Sequence, residues 1–292
     1  MPKMNNSKLI LGTVQMGLPY GINNTKGKVS LNESLEILNY AYQNGIEILD
    51  TAEVYGNAHQ IIGEFHKKYA SKKFQIITKL SNQVKGDIIK KVTSFLDELR
   101  VGQLHALLFH SFSSFENNQN NFGALEQLKF EKKIKNIGVS VYTNEEIEKV
   151  ILNKEIDIVQ VPFNLLDNAN IRGEILAKAR SKGKTVHTRS ALLQGLFFKD
   201  INDHHKAVKN LRNELILIAD ISKKYKIATS ALALGYCMQQ HTIDNVLIGV
   251  DSIQQLKKNL ESVNYIIGPV VIDEINAIHV KDTNLLNPSL WN

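Results

Sequence analysis

The feature that most constrains this chain is an end-to-end alternation of short β-branched runs with longer amphipathic segments. The runs read KLILGTV, IEIL, FQIIT, LHALLF, IKNIGVS, IDIVQV, KTVHT and NVLIGV. Between them, apolar residues recur at helical spacing. The first such segment opens at Ser30, where Ser30 and Glu33 have capping-box spacing, runs through Leu31, Leu35, Leu38 and Tyr42, and stops at Gly45. A helix through Phe65 and one marked by Ile89, Val92, Leu96 and Leu99 come next. The spacing then predicts helices over 122–132, 143–152, 171–181, 211–224, 229–238 and 253–263, with Thr143 and Glu146 as a second capping box. A last helix over 270–281 and the tail NLLNPSLWN lie beyond the eighth unit.

Parallel strands need a long crossover, and a helix between each pair supplies it. Eight strand–helix units without a Pro-Gly or Ser-rich linker favour a closed (β/α)8 barrel, one domain over 1–292 in which 270–292 form a C-terminal helix and tail over or beside the barrel. An open doubly wound sheet is the alternative. Against it, the first strand-to-helix connection, LGTVQMGLPYG, lacks the G-x-G-x-x-G spacing.

Composition narrows the class further. With 43% hydrophobic and 22% charged residues the chain has a globular balance, and its net charge of +6 is scattered, with no run of five like charges. Nucleic acid is therefore not an expected partner. The densest basic stretch, His66-Lys67-Lys68 with Lys72 and Lys73, reads as the solvated end of a helix whose dipole favours cations there. Cys237 is the single cysteine, so no intrachain disulfide and no cysteine-held zinc is expected, and a reducing, cytoplasmic setting fits. The apolar run Leu9-Ile10-Leu11 is cut by Gly12 before it can serve as a signal-peptide core, and no stretch approaches eighteen apolar residues, so no membrane partner is expected either.

Asp50, Lys79, His110 and Ser140 end four successive runs, at intervals of 29, 31 and 30 residues. One strand–helix unit has that length, so the four occupy equivalent places on one rim, the C-terminal face where barrel active sites are built. A lone polar residue at a strand end is usually structural. Three ionisable ones in succession, with Tyr55 just after Asp50, point to chemistry. Asp50 and Lys79 on neighbouring strands should pair, which keeps the lysine charged and disfavours a Schiff-base aldolase, since that needs a neutral amine. A charged lysine near a tyrosine stabilises phenolate, so Lys79 is expected to pull the Tyr55 pKa down and make Tyr55 a proton donor to a carbonyl oxygen that His110 orients. Such a set holds no metal ligands and no nucleophilic Ser or Cys. It needs hydride from elsewhere, and bound nicotinamide is the natural supplier.

The stretch LDTAEVYG, with ITKL around Lys79 and LLFHS around His110, resembles the aldo-keto reductase superfamily, and the likeness runs from LGTVQMG to the KKN of the last barrel helix. The resemblance implies a (β/α)8 barrel that reduces aldehydes and ketones, usually with NADP(H). It makes Tyr55 the general acid, Asp50 and Lys79 the pair that tunes it, and His110 the residue that positions the carbonyl.

The same resemblance implies a cofactor site. GVSVYT places Ser140 at the nicotinamide carboxamide, with Val141 where asparagine is common, and Gln160 completes that contact with Asn164 nearby. In VHTRSALLQGL, Arg189 replaces the usual aromatic stacked on nicotinamide, and a planar guanidinium can stack in its stead. Ser190, Leu192 and Gln194 would follow along the pyrophosphate. In LIGVDSIQQLKKNL, Gln255 and Asn259 fit the adenosine end. Asp251 departs from the pattern: a carboxylate accepts from a ribose 2′-hydroxyl and repels a 2′-phosphate, so NAD(H) stays open beside NADP(H), while Lys258 can restore phosphate affinity. Asp251 or Ser252 as a simple helix cap is the competing reading.

A carbonyl reductase is the leading function, with a small-molecule carbonyl as substrate. A nicotinamide-binding regulatory subunit with little turnover is the alternative, although a sensor has no need of all four catalytic groups. An aldolase or hydratase is the third, separable by borohydride trapping. Specificity should lie in the loops, at residues 16–22, at Phe112 and Phe115, at Phe197 and Phe198, and in the tail with Trp291.

Overall fold

In a computed structural model, which describes residues 6–84 and 86–291, eight parallel strands close into a barrel in sequence order. They are β1 (Leu9–Gly12), β2 (Ile48–Asp50), β3 (Gln75–Leu80), β4 (Leu104–Phe109), β5 (Ile134–Ser140), β6 (Ile158–Pro162), β7 (Thr185–Arg189) and β8 (Asn245–Gly249). Closure comes from β1 pairing in parallel with both β2 and β8.

The first connection contains the single turn α1 (Val14–Gly17), then α2 (Leu31–Gln43). Helices α3 (Ala58–Lys68) and α4 (Ile88–Leu99) follow β2 and β3; α5 (Phe112–Asn117) and α6 (Phe122–Phe130) follow β4. Next come α7 (Asn144–Ile151) and α8 (Ala169–Ser181), then α9 (Lys206–Asn210), α10 (Arg212–Tyr225) and α11 (Thr229–Met238) in the long excursion after β7. Finally α12 (Ile253–Ser262) follows β8, and α13 (Pro269–Asn276) packs on α10. Ser30 caps α2 by accepting from the Glu33 N–H, and Thr143 with Glu146 makes the fully reciprocal box at α7.

Side chains alternate along each strand, so the barrel separates into two apolar regions. Ile10, Ile48, Ile77, Ala106, Leu108 and Ile158 fill the interior with Leu247 beside them, while Leu9, Leu11, Leu49, Ile76, Leu107 and Val159 join the shell beneath the helices. Two residues on from the interior plug, on the same face, stand Asp50, Lys79, His110 and Gln160. The plug is the floor on which the polar layer rests.

Two expectations change here. The helix expected over 270–281 ends at Asn276, because the Asn168 side-chain amide donates to the carbonyls of Ile275 and Ile278, both at 3.0 Å, and stops the helix there. His66 does not solvate a helix end: it is buried, its Nδ1 lies 2.7 Å from the Leu99 carbonyl and its Nε2 accepts from the Phe74 N–H at 3.2 Å. The tail packs Trp291 edge-on against His205, with ring centroids 5.9 Å apart, and its indole N–H donates to the Leu285 carbonyl. Among the described residues, no helix is long and apolar enough to cross a membrane, and no cluster of three His, Cys, Asp or Glu side chains is arranged to hold a metal ion.

Burial of neutral histidines gives a stability prediction. Desolvation pushes the His187 imidazole down to about 3, with the charge of His105 adding to the shift, and desolvation pushes His59 down to about 4. Between pH 6.5 and these values the unfolded chain binds protons that the folded chain does not, so stability falls as pH falls. His187→Gln removes one such group and should lose about 2 kcal/mol less than the parent between pH 7 and pH 5. Urea melts at the two pH values check this; parallel losses in both proteins would exclude His187 as a source of acid sensitivity.

Candidate active site

The C-terminal rim opens into a cavity of about 460 Å³, within the range of small-molecule and cofactor sites. At one end its wall carries Asp50, Tyr55, Lys79 and Gln160, and at the other Asp251, Gln255, Lys258 and Asn259. Arg189, Ser190, Leu192 and Gln194 line it as well, as do Gly12, Thr13 and Gln15.

Asp50 and Lys79 are each 2% exposed and form an ion pair between Lys79 Nζ and Asp50 Oδ1, with the ammonium also donating to the Thr51 carbonyl at 3.3 Å. The Gln160 amide donates to Asp50 Oδ2 at 2.9 Å. That bond fixes the orientation of the amide and leaves Gln160 Oε1 buried without a partner among the described residues. An orphaned acceptor at a cavity wall fits the N–H of a bound carboxamide, since a buried acceptor otherwise loses its hydration uncompensated.

Tyr55 owes its place to a close backbone approach. A Cβ on Gly17 would fall 1.7 Å from the Tyr55 carbonyl oxygen, and one on Gly56, which has φ +54°, would fall 2.4 Å from the Gly17 oxygen. Only glycine at both positions lets the loop after β1 lie against the turn carrying Tyr55. The Tyr55 ring meets His110 edge-on, centroids 5.7 Å apart, and Lys79 Nζ stands 5.5 Å from the ring centroid.

Electrostatics alter one expectation. Burial pushes the Tyr55 phenol well above its ordinary value, the Asp50 charge adds to the rise, and the offsetting cation is Arg189 rather than Lys79. The lysine is committed to Asp50, and burial pulls its own pKa down against that partner. His110 is driven to about 3 by burial and then by the charges of Lys79 and Arg189, so its imidazole is neutral at physiological pH and keeps one N–H to donate.

Arg189 is held in a cage. Its guanidinium lies 4.0 Å from the Tyr142 ring centroid, Nε donates to Ser140 Oγ at 3.2 Å, and a terminal nitrogen donates to the Val141 carbonyl at 3.2 Å. Tyr142 is itself pinned: its N–H donates to Glu146, and its carbonyl accepts from Arg172, which forks onto the buried Asp167 at 2.6 and 2.9 Å. Ser140 thus stands behind Arg189, and neither Ser140 nor His110 is among the described residues that line the cavity.

After Arg189 the chain enters a run of backbone that side chains seldom adopt, with φ of +63° at Ser190, +45° at Leu193 and +53° at Gln194. Contacts with the loop after β1 hold this run in place. Asn23 donates to the Gly195 carbonyl at 2.5 Å, the Ile22 N–H to the Gln194 carbonyl at 3.2 Å, and the Gln194 amide to the Tyr20 hydroxyl at 2.9 Å. The two loops meet beside the middle of the cavity, and Tyr20 and Asn23 join its wall. At the far end, Ser252 caps α12 by accepting from the Gln255 N–H. Asp251 is therefore not the cap, and its carboxylate has no partner among the described residues.

Of the residues singled out from the sequence, Asp50, Tyr55, Lys79, Gln160, Arg189, Ser190, Leu192, Gln194, Asp251, Gln255 and Asn259 share this one cavity. The specificity loops fare unevenly. Tyr20 and Phe198 reach the cavity, whereas Phe112 packs at a tilt against Phe115, with centroids 5.9 Å apart, and Trp291 is spent on His205. Thr13, Gln15, Asn23 and Tyr142 were not foreseen. The turn-forming GINN held a signal for Asn23. Tyr142 carried none, because its partner is 47 residues away in the chain.

Comparison with known proteins places the chain in a family. Residues 8–280 match the profile of the Aldo/keto reductase family, and the chain belongs to that family. It is an NAD(P)H-dependent oxidoreductase of the aldo-keto reductase type. It is 25% identical to the NADH-specific methylglyoxal reductase of Escherichia coli, over 88% of this chain and 90% of that protein. It is 24% identical to a glyoxal reductase of Bacillus subtilis, over 74% and 83%. Its fold matches that of an aldo-keto reductase from Bacillus halodurans in the holo form, with a TM-score of 0.78, 20% identity, and coverage of 94% and 92%.

Proposed function

We propose that this chain reduces small reactive aldehydes of the 2-oxoaldehyde type, taking hydride from NADH at least as readily as from NADPH and the proton from Tyr55. The observation that carries this reading is a single cavity with a buried acid and an orphaned amide acceptor at one end and an unengaged carboxylate at the other. Relatives that act on methylglyoxal and glyoxal support the substrate class.

Bound nicotinamide supplies hydride to the carbonyl carbon; the remaining work belongs to the chain. Gln160 Oε1 accepts from the carboxamide, held in orientation by Asp50. His110, which stands against the Tyr55 ring rather than in the described cavity lining, keeps a neutral imidazole whose N–H would donate to a carbonyl oxygen brought beside the Tyr55 hydroxyl. Burial keeps Tyr55 protonated at neutral pH, so the acid is always loaded, and the Arg189 charge stabilises the phenolate left after transfer until solvent reprotonates it. Asp251 accepts from the ribose 2′-hydroxyl at the far end, where a 2′-phosphate would meet a like charge.

A carbonyl panel with NADH and NADPH, read by cofactor oxidation, tests the reading, and absence of turnover with every aldehyde would refute it. The adenosine end is tested separately by Asp251→Ser, which should tighten NADPH relative to NADH about tenfold. An unchanged ratio of dissociation constants would remove Asp251 from cofactor selection.

A further inference from the structure

The catalytic end of the cavity is electrically unbalanced. Asp50 and Lys79 cancel each other in their buried pair. Arg189, by contrast, has no carboxylate partner among the described residues, since its nitrogens donate to two hydroxyls and a carbonyl. A guanidinium keeps its charge throughout the working pH range. The group therefore leaves about one uncompensated positive charge in the wall, near enough to Tyr55, Lys79 and His110 to shift all three.

Its placement relative to the ring site follows from the sheet register. His187 pairs with Gln160, and Arg189 lies two residues further along β7, one rung above the orphaned amide acceptor and on the same interior face. Tyr142 covers one side of the guanidinium, which leaves the rest of the group on the cavity wall. A nicotinamide whose carboxamide is held by Gln160 thus has Arg189 as its neighbour.

We infer that Arg189 discriminates between the redox states of the cofactor, favouring the neutral reduced ring over the oxidised ring, which carries a positive charge. This rests on the nicotinamide site proposed above and adds a direction to it. The diphosphate and riboses carry the same charges in both states, so they cancel in the comparison, and the ring charge remains as the difference that Arg189 meets. Two unit charges a few ångströms apart at intermediate dielectric shift binding by at least about tenfold. Because oxidised cofactor is the product of carbonyl reduction, weakening its hold speeds product release and makes the protein a reductase that resists inhibition by its own product. A neutral aromatic ring in that position exerts no such bias.

The test is calorimetric titration of the parent protein with NADH and with NAD⁺, in the absence of carbonyl substrate. The expected ratio of dissociation constants, oxidised over reduced, is about tenfold or more; Arg189→Gln should bring it towards unity and Arg189→Lys should retain most of it. A parent ratio within twofold overturns the inference and needs no variant. So does an Arg189→Gln protein that binds both forms with the parent ratio unchanged. If the parent binds neither form, the nicotinamide site itself is wrong and the inference falls with it. Binding of both forms at equal strength removes only the inference.

Discussion

Tyr55→Phe is expected to lower carbonyl-reducing turnover by about 10²–10⁴-fold, the usual worth of a positioned acid, while cofactor dissociation constants stay within about twofold. The separation follows from geometry. Of the groups proposed to hold the cofactor, Gln160 shares the catalytic end of the cavity with the phenol, whereas the wall from Ser190 to Asn259 holds the rest of the cofactor without it. Burial sets the expected pH behaviour as well. With its pKa raised, the phenol remains protonated through the neutral range, so the parent rate of reduction should not decline between pH 6 and pH 8 through loss of this acid. Stopped-flow measurement of reduced-cofactor absorbance with methylglyoxal as probe reads the rate, and titration without substrate reads affinity. Near-parent turnover in the Tyr55→Phe protein would remove Tyr55 as donor. A comparable loss in both affinity and rate would instead indicate collapse of the loop that Gly17 and Gly56 allow to pack so closely.

Much of this site was legible in the sequence because side chains alternate with a period of two. Ile48 and Asp50, Ile77 and Lys79, Leu108 and His110, and Ile158 and Gln160 are apolar–polar pairs two residues apart, so each strand announces both its interior plug and the polar group above it. The helix termini were readable for a similar reason: Ser30, Thr143 and Ser252 act on their own neighbours. Interactions that join distant parts of the chain were not readable. Asn168 shortens a helix more than a hundred residues downstream, and the apolar rhythm continuing through Ile278 and Val280 gave no warning of it. The cation that offsets the rise at Tyr55 proved to be Arg189 because Lys79 is saturated by Asp50, a competition that spacing cannot rank. Helix α5 escaped notice because six residues carry too little periodicity.

Lys79→Met should destabilise the fold by about 3–5 kcal/mol, the cost of leaving one member of a buried ion pair alone. Asp50 would keep only the Gln160 amide on Oδ2, in a site where both partners are 2% exposed. Asp50→Asn should cost less. The abandoned ammonium retains the Thr51 carbonyl at 3.3 Å, and burial already lowers the Lys79 pKa, so it can shed its proton where a stranded carboxylate must take one up. The Asp50→Asn/Lys79→Met double variant should recover part of the Lys79→Met loss, which makes the two changes non-additive in a urea-denaturation cycle. Activity should follow the same order for a separate reason. Removing Lys79 leaves the Asp50 charge unneutralised beside Tyr55 and raises the phenol further, whereas removing Asp50 relieves one of the causes of that rise. If Asp50→Asn proved far less active than Lys79→Met, with both proteins folded by circular dichroism, Asp50 would have to be moving a proton itself, and the pair would be the reaction's base rather than the support of its acid.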